Sequence, residues 1–433
     1  MPYHKYQVIK LLILALISVT VFTKPVSAQS LSQTVNYDYT YSPAIKSVQF
    51  HRSEMRFGFP ILYLAGNQSL MLEFDDLEEG FTYYRYKVVQ CDRVWQPSGL
   101  NEMEYLNGIN EQEIRQYASS VNTRQGYTHY SCYVPGDNVS ITKSGNYLVH
   151  VYRESDDEVI LTKRFVVSEQ SIDFSAELMN QGSFDKNTEQ YISGKVELKG
   201  NIPDPYSQLS MSVLQNGNWN SEIIISPRMV IGNSVQFNHP DKPVFKGLKE
   251  FRAVDLRSMR RPPYMIENLE RYDDHTDVFL RTDGPRDKKL NISFPDLNGN
   301  FITENADRMN DEFSIDYILT HFYLKTPQLG YPVYILGSFN NWGHGIDIKP
   351  MEYNASLGRY EQALLLKQGY YDYMYAELNN NTFDYSHTEG ASYETANNYE
   401  CLLYYRKFGD RYDRMVGYIE IGLPVSGQAL EER

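Results

Sequence analysis

Cysteine is scarce. The 433 residues hold three, Cys91, Cys132 and Cys401, and their spacing fits neither a zinc nor a redox motif. Cys91 and Cys132 are able to pair in an oxidising compartment, which leaves Cys401 odd. Small buried thiols are the equal alternative, and the fold is not expected to depend on disulfides. Excess positive charge is also missing. The net charge of −14 argues against nucleic acid as a main partner and fits the solubility of an exported protein. The nine histidines are scattered. There is no His-Glu-x-x-His helix, no Gly-x-Ser-x-Gly elbow, no phosphate loop and no dinucleotide fingerprint. Carboxylates are abundant, but any acidic chain offers pairs of them, so their number does not point to a glycosidase. No catalytic residue, metal ligand or cofactor is expected, and the chain does not read as an enzyme. Beyond the first residues no window approaches 18 uninterrupted apolar residues.

The N-terminus is a secretory signal peptide over residues 1–28. Lys5 and Lys10 form its basic start, Leu11 to Phe22 its apolar run, and Val26-Ser27-Ala28 its small-residue end. No cysteine follows the run, so no lipid anchor is expected there. The mature protein is expected to be soluble and periplasmic.

Tyrosine is plentiful, at 37 residues, and favours strands and half-wet surfaces. Alanine is scarce and few segments keep a helical period. The fold class is therefore all-β, as tandem immunoglobulin-like β-sandwich domains. Residues 29–168 read as an N-terminal sandwich. Its clearest strand, Tyr83 to Cys91, places Tyr84, Tyr86, Val88 and Gln90 on one face. A long insertion at 91–127 interrupts it, with one short helix expected over Glu111 to Ser119. Long ordered insertions in compact domains are usually functional.

A middle β domain spans 169–313, a C-terminal sandwich 314–420 and a loose tail 421–433. Asn216-Gly217 and Asn298-Gly299 read as hairpin turns. Asp296 to Asn300 is only superficially like a calcium loop, because the twelfth position is Asp307 and glycine stands fourth. Arg252, Arg257, Arg260, Arg261 and Arg271 form the one local basic patch, which reads best as an exposed, solvated loop. His129 reads as a packed, hydrogen-bonded strand residue.

Two resemblances bear on function. Leu336-Gly337-Ser338-Phe339-Asn340-Asn341-Trp342, Gly369 to Tyr375 and Asn397-Asn398 resemble motifs of the carbohydrate-binding modules of glycogen-sensing kinases and branching enzymes. That likeness implies a sandwich and, as an alternative function, a glycan ligand held by Trp342, Asn397 and Asn398. In that family a lysine stands where Met374 is and a tryptophan where Phe383 is.

The second resemblance covers nearly the whole mature chain. Ile45 to Arg52, Leu72 to Leu77, Cys91-Asp92, Trp95-Gln96-Pro97-Ser98, Glu104 to Gly108 and Tyr127-Thr128-His129-Tyr130 are similar to the plug proteins of the type IX secretion system of Bacteroidetes. Pro135, Asp137-Asn138, Ser144 to Tyr147 and Arg164-Phe165 continue the pattern. The likeness implies a periplasmic protein that closes the periplasmic mouth of the outer-membrane translocon barrel and is displaced by substrate. Its signature and contact candidates are Cys91, Asp92, Trp95, Pro97, Tyr105, Tyr127, His129 and Tyr130.

Overall fold

A computed structural model describes residues 34–78, 80–179, 188–200, 202–238, 244–308 and 313–422. The expected signal peptide and residues 423–433 of the expected tail lie outside them. The regular structure of the described chain is nearly all strand, arranged as three β-sandwiches.

The first sandwich faces a six-stranded sheet with a four-stranded one. The larger runs Tyr39–Thr40, Val159–Ser168, Gly145–Arg153, Tyr84–Cys91 and Gln112–Glu113, with Ile61–Tyr63 added in parallel to Val159–Ser168. The smaller runs Ile45–Arg52, Leu70–Asp76, Thr128–Val134 and Gln116–Ser119. Tyr84, Tyr86, Val88 and Gln90 all point inward, as period-two alternation requires. Ring pairs bridge the strands: Phe74 stacks on Tyr130 at 5.2 Å and Tyr147 on Phe165 at 5.3 Å.

The insertion is built into this sandwich. The helix expected at 111–119 is instead two short strands, Gln112–Glu113 and Gln116–Ser119. One lies on each sheet, because the backbone there completes the exposed edges of Tyr84–Cys91 and Thr128–Val134. A single helical turn sits earlier, at Glu102–Tyr105. Asn110 fixes the path by bonding both the N–H and the C=O of Val88, each at 2.9 Å. Gly108 has φ of +114°, and a Cβ there would lie 2.3 Å from the Asn138 carbonyl oxygen. Only glycine fits such a crossing.

In the second sandwich, Phe174–Met179, Glu189–Glu197, Ser234–Gln236 and Met229–Ile231 form one sheet, with Val244–Lys246 paired to Glu189–Glu197. The other runs Asn218–Ile225, Leu209–Gln215, Tyr399–Tyr405 and Arg414–Ile421. The last hairpin therefore leaves the 314–420 region and packs with residues 209–225. The cause is the strand Leu209–Gln215, buried along its whole length. It needs a neighbour on both edges, and Tyr399–Tyr405 sends Tyr399, Cys401 and Leu403 into the same core.

The exchange is reciprocal. Arg252–Asp255 and Phe301–Thr303, expected in the middle domain, flank Gly369–Asn379 in the third sandwich. The opposing sheet runs Ile266–Arg271, Thr276–Leu280, Tyr317–Leu324, Arg359–Lys367 and Glu352–Asn354. Asn216-Gly217 joins paired strands as expected. Asn298-Gly299 turns tightly without a hairpin, because carboxylates replace the partner strand. Asp296 accepts the N–H groups of Phe251 and Asn298, and Asp372 those of Leu297 and Gly299.

Candidate functional site at the sandwich junctions

The signature residues collect where the sandwiches meet. At the first-to-second junction Cys91, Trp95, Phe59 and Ile61 pack against Leu214, Trp219, Leu402, Tyr404 and Met415. Trp95 meets Trp219 edge-on at 4.7 Å. The Arg164 guanidinium lies 5.4 Å from the Trp95 ring centre and 5.3 Å from that of Trp219, and Asp38 holds it at 3.1 Å. A buried cation over two indole faces is a stabilising arrangement. Trp95 has φ of +66°, and Asp92 makes this bend by accepting the N–H groups of Val94 and Gln96. Pro97 bridges back to Cys91. Across the seam the Tyr404 hydroxyl donates to Asn146 at 2.7 Å, and Arg411 on the last hairpin's loop reaches Glu104 at 2.8 Å.

The first-to-third junction is ionic. Asp75 is fully buried and accepts from Lys367 Nζ at 2.7 Å and from the Tyr317 hydroxyl at 2.7 Å, and its other oxygen meets His129 Nδ1 at 2.8 Å. Burial works to raise the Asp75 carboxyl, but Lys367 and His129 outweigh it and hold it below its usual value. Burial likewise works against charged His129, yet Asp75 and Glu73 raise it to about 9. At neutral pH His129 is therefore an imidazolium locked between carboxylates, without the free nitrogen a general base needs. Tyr127 carries Lys367 over its ring at 4.2 Å and meets Tyr317 edge-on.

Tyr105 and Tyr130 belong to the first core. Tyr105 donates to the Val88 carbonyl and Tyr130 to that of Thr82. The signature set is thus three groups, one per junction and one in the core; Cys91, Trp95, Tyr105, Tyr127 and Tyr130 are buried, Asp92 and His129 half-buried and Pro97 exposed. Large apolar side chains stand exposed elsewhere on the insertion, at Val94, Ile109, Tyr117, Val121 and above all Met103, at 95%. Phe408, at 93%, stands on the adjoining loop that Arg411 ties to the insertion.

All three thiols are free and buried, so Cys91 and Cys132 do not pair. Burial raises them, Cys91 to about 12. Among the described residues no cluster of three His, Cys, Asp or Glu is arranged to hold a metal ion, and no helix is long and apolar enough to cross a membrane.

The expected glycan contacts are occupied by the protein itself. Trp342 is 8% exposed and packs on Phe251, so its ring offers no free platform. Asn397 bonds Gln190 and Asn216, and Asn398 bonds Asn216 and Glu420. Of the basic patch, Arg252 is buried between Asp283 and Glu389, and Arg257 pairs with Asp255 and Glu304. Arg260 and Arg261 are exposed.

Lys367, Tyr317, Trp219 and Asp75 carry the junctions without standing out in the sequence as a site. The available signal was a charge closing an apolar strand, as Lys367 closes Leu364-Leu365-Leu366, and a tryptophan just past an Asn-Gly turn.

Residues 45–169 match the Type 9 secretion system plug protein 1st domain. The crystal structure of a hypothetical protein from Parabacteroides merdae is similar over 90% of this chain and 100% of that one, at 30% identity and a TM-score of 0.85. The partial N-terminal region of an enterococcal surface protein (8% identity, 49% of this chain and 81% of that one, TM-score 0.16) and the C-terminal domain of the Streptococcus pyogenes antigen I/II-family protein AspA (7%, 86% and 98%, TM-score 0.15) share too little structure to inform function. No curated protein matches the chain. Over residues 45–169 the chain carries a type 9 secretion system plug protein first domain, which supports a role in type IX secretion.

Proposed function

We propose that this protein is a periplasmic plug, which seals the periplasmic opening of the outer-membrane translocon barrel and is displaced when a substrate enters. The match of residues 45–169 to the plug first domain carries this reading. The architecture supports it. A plug must resist deformation, and here three sandwiches are fastened by a tryptophan–arginine stack and a buried four-group ionic network. Strand-rich, closely packed bodies open rarely and resist proteolysis. The signature residues fix the insertion in place, and its exposed Met103, with exposed Phe408 on the loop that Arg411 ties to the insertion, forms the contact face. Large apolar side chains that are this exposed mark interaction sites when they cluster.

The test is purification of the tagged barrel from a native host with secretion substrates depleted. The protein is expected to copurify. Met103→Ser combined with Phe408→Ser is expected to weaken the association while leaving the urea midpoint unchanged, since exposed substitutions rarely alter stability by more than about 0.5 kcal/mol. A barrel that never carries this protein, even without substrate, would refute the plug reading. Retention of the double variant would refute only the contact face.

A further inference from the structure

Part of the basic patch at residues 252–271 is left over by the contacts above. Arg252 and Arg257 are paired with carboxylates. Arg260 and Arg271 instead line a polar cavity of about 230 Å³ at the seam between the first and third sandwiches, together with Arg124 and Arg308. All four arginines are exposed, so a solute can reach them. The cavity has room for a ligand displacing roughly eight water molecules.

The tip of the insertion builds one side of this cavity. The Val121 N–H donates to the Phe313 carbonyl at 2.8 Å, and Asp316 accepts the N–H groups of Arg124 and Gln125. Arg124 Nε then donates to the Tyr272 carbonyl at 3.0 Å. On the other side Asp307 accepts from the Ser258 hydroxyl and from the N–H groups of Met259 and Arg260. Arg271 donates to the Met259 carbonyl at 2.6 Å. These bonds set the loops on which the arginines stand.

The wall holds four guanidinium groups against two carboxylates, Asp307 and Asp316. It is therefore locally cationic on a chain whose net charge is −14. Burial works to raise the Asp307 carboxyl, yet Ser258, the two N–H groups and the charge of Arg260 hold it below its usual value. Neither acid pairs closely with an arginine of the wall. Asp316 meets Arg124 only at 4.0 Å, and among the described residues no carboxylate stands within ion-pair distance of Arg260, Arg271 or Arg308. Like charges gathered in this way repel, and an anion that joins them relieves the cost. Guanidinium forks match the oxygens of a phosphate, and a phosphate group carries about −1.5 to −2 charge at neutral pH, which balances the excess of the wall. We infer that this cavity binds a doubly charged oxyanion of the phosphate class, held by Arg124, Arg260, Arg271 and Arg308. The site shares no residue with the Trp342, Asn397 and Asn398 set, and it does not depend on the plug reading.

The test is calorimetric titration of the full chain at constant ionic strength, with inorganic phosphate as the probe and acetate as the singly charged control. Phosphate is expected to bind saturably and more tightly than acetate. Arg260→Gln and Arg308→Gln are each expected to weaken it at least about tenfold, as the loss of one charge-assisted hydrogen bond implies. Neither side chain bonds another described residue, so both variants should keep the urea midpoint. Arg261→Gln alters an exposed neighbour outside the wall and should leave binding unchanged. Phosphatidylcholine vesicles with and without phosphatidic acid separate the two sources of such a group. Retention that needs phosphatidic acid and is lost in Arg260→Gln supports a lipid headgroup as the source. The inference is overturned by a chain that answers neither phosphate nor phosphatidic acid, by acetate binding as tightly as phosphate, or by equal weakening in Arg261→Gln, which would mark general surface charge. Asp311 and Glu312 lie outside the described residues. Phosphate binding that appears only in the double variant Asp311→Asn, Glu312→Gln would also overturn it, because the chain's own acids would then balance the wall.

Discussion

The buried network at the first-to-third junction makes a quantitative prediction. Asp75→Asn keeps the side-chain volume and removes only the charge, so no cavity term enters. Asp75 and Lys367 have side-chain exposures of 1% and 4%, and water therefore screens the pair little. Breaking a buried ion pair from one side costs about 3–5 kcal/mol, because the surviving charge is left uncompensated. Lys367 would keep the Tyr127 ring, and His129 would keep Glu73 at 3.6 Å. Asp75→Asn is thus expected to lower stability by about 3–5 kcal/mol. Lys367→Met alone should do comparable damage by stranding Asp75. The double variant removes both charges and should recover much of the loss, with a coupling of at least about 2 kcal/mol.

The assay is urea unfolding of the four species, followed by fluorescence, with limited proteolysis to show whether the first and third sandwiches separate. Titration of His129 by NMR adds an independent readout. Without the Asp75 carboxylate its pKa should fall from about 9, since its main raising partner is gone. A loss below about 1 kcal/mol for Asp75→Asn, or strictly additive single costs, would show that the junction does not depend on this pair.

Two further outcomes follow from the same geometry. Trp95→Ala removes the ring that packs on both Trp219 and Arg164 and should cost about 3–5 kcal/mol, with parallel loss of association with the barrel; unchanged urea midpoint and unchanged association would refute its role. Alkaline pH should loosen the fold. Burial and nearby Asp296 raise Glu250 to about 7, burial and Glu420 raise Glu400 to about 8, and His129 rises to about 9. Each folded-state value lies above its unfolded one, so the folded state holds more protons and stability falls as pH rises, by up to about 1.4 kcal/mol per pH unit for each titrating group. The urea midpoint should decline from about pH 5 to pH 9, Glu400→Gln should flatten part of the slope, and a midpoint that rises over this range would contradict the assignment.

The individual strands were legible because each carries its own period. Tyr84 to Gln90 alternates residue by residue, and Tyr147 to Tyr152 is apolar but for His150, between turns, so local sequence and final structure agree. Sheet membership was not legible. Nothing local in Tyr399–Tyr405 says that it pairs with Leu209–Gln215, almost 190 residues earlier. That choice is made by Leu209–Gln215, whose fully buried backbone demands a partner on both edges. The 111–119 segment failed for a related reason: its polar residues suit a short helix in isolation, but two exposed sheet edges offered its backbone better bonds.

The candidate site was legible as a set of residues and illegible as a role. Trp95, Tyr127 and His129 stand out in the sequence because large rings and a histidine interrupt otherwise simple strands, and such residues suggest contact with something outside. Their partners are instead inside the chain, at Trp219, Tyr317 and Asp75, separated by up to about 190 residues in sequence. A contact surface must remain available to its partner, but Trp95 and Tyr127 are only 5% and 4% exposed, and His129 is held between Asp75 and Glu73. The identity of a plug's docking surface therefore has to be sought in side chains that the fold leaves unsatisfied. Met103 and Phe408 meet that condition, and neither belongs to the conspicuous set. Met103 sits on a helical turn pinned by Asn101 and Glu104, and Phe408 on a loop pinned by Arg411. The signature holds the insertion that carries Met103, and Arg411 ties the Phe408 loop to it, so mutating the signature should abolish docking through loss of geometry, whereas mutating the tips should abolish docking with the body intact.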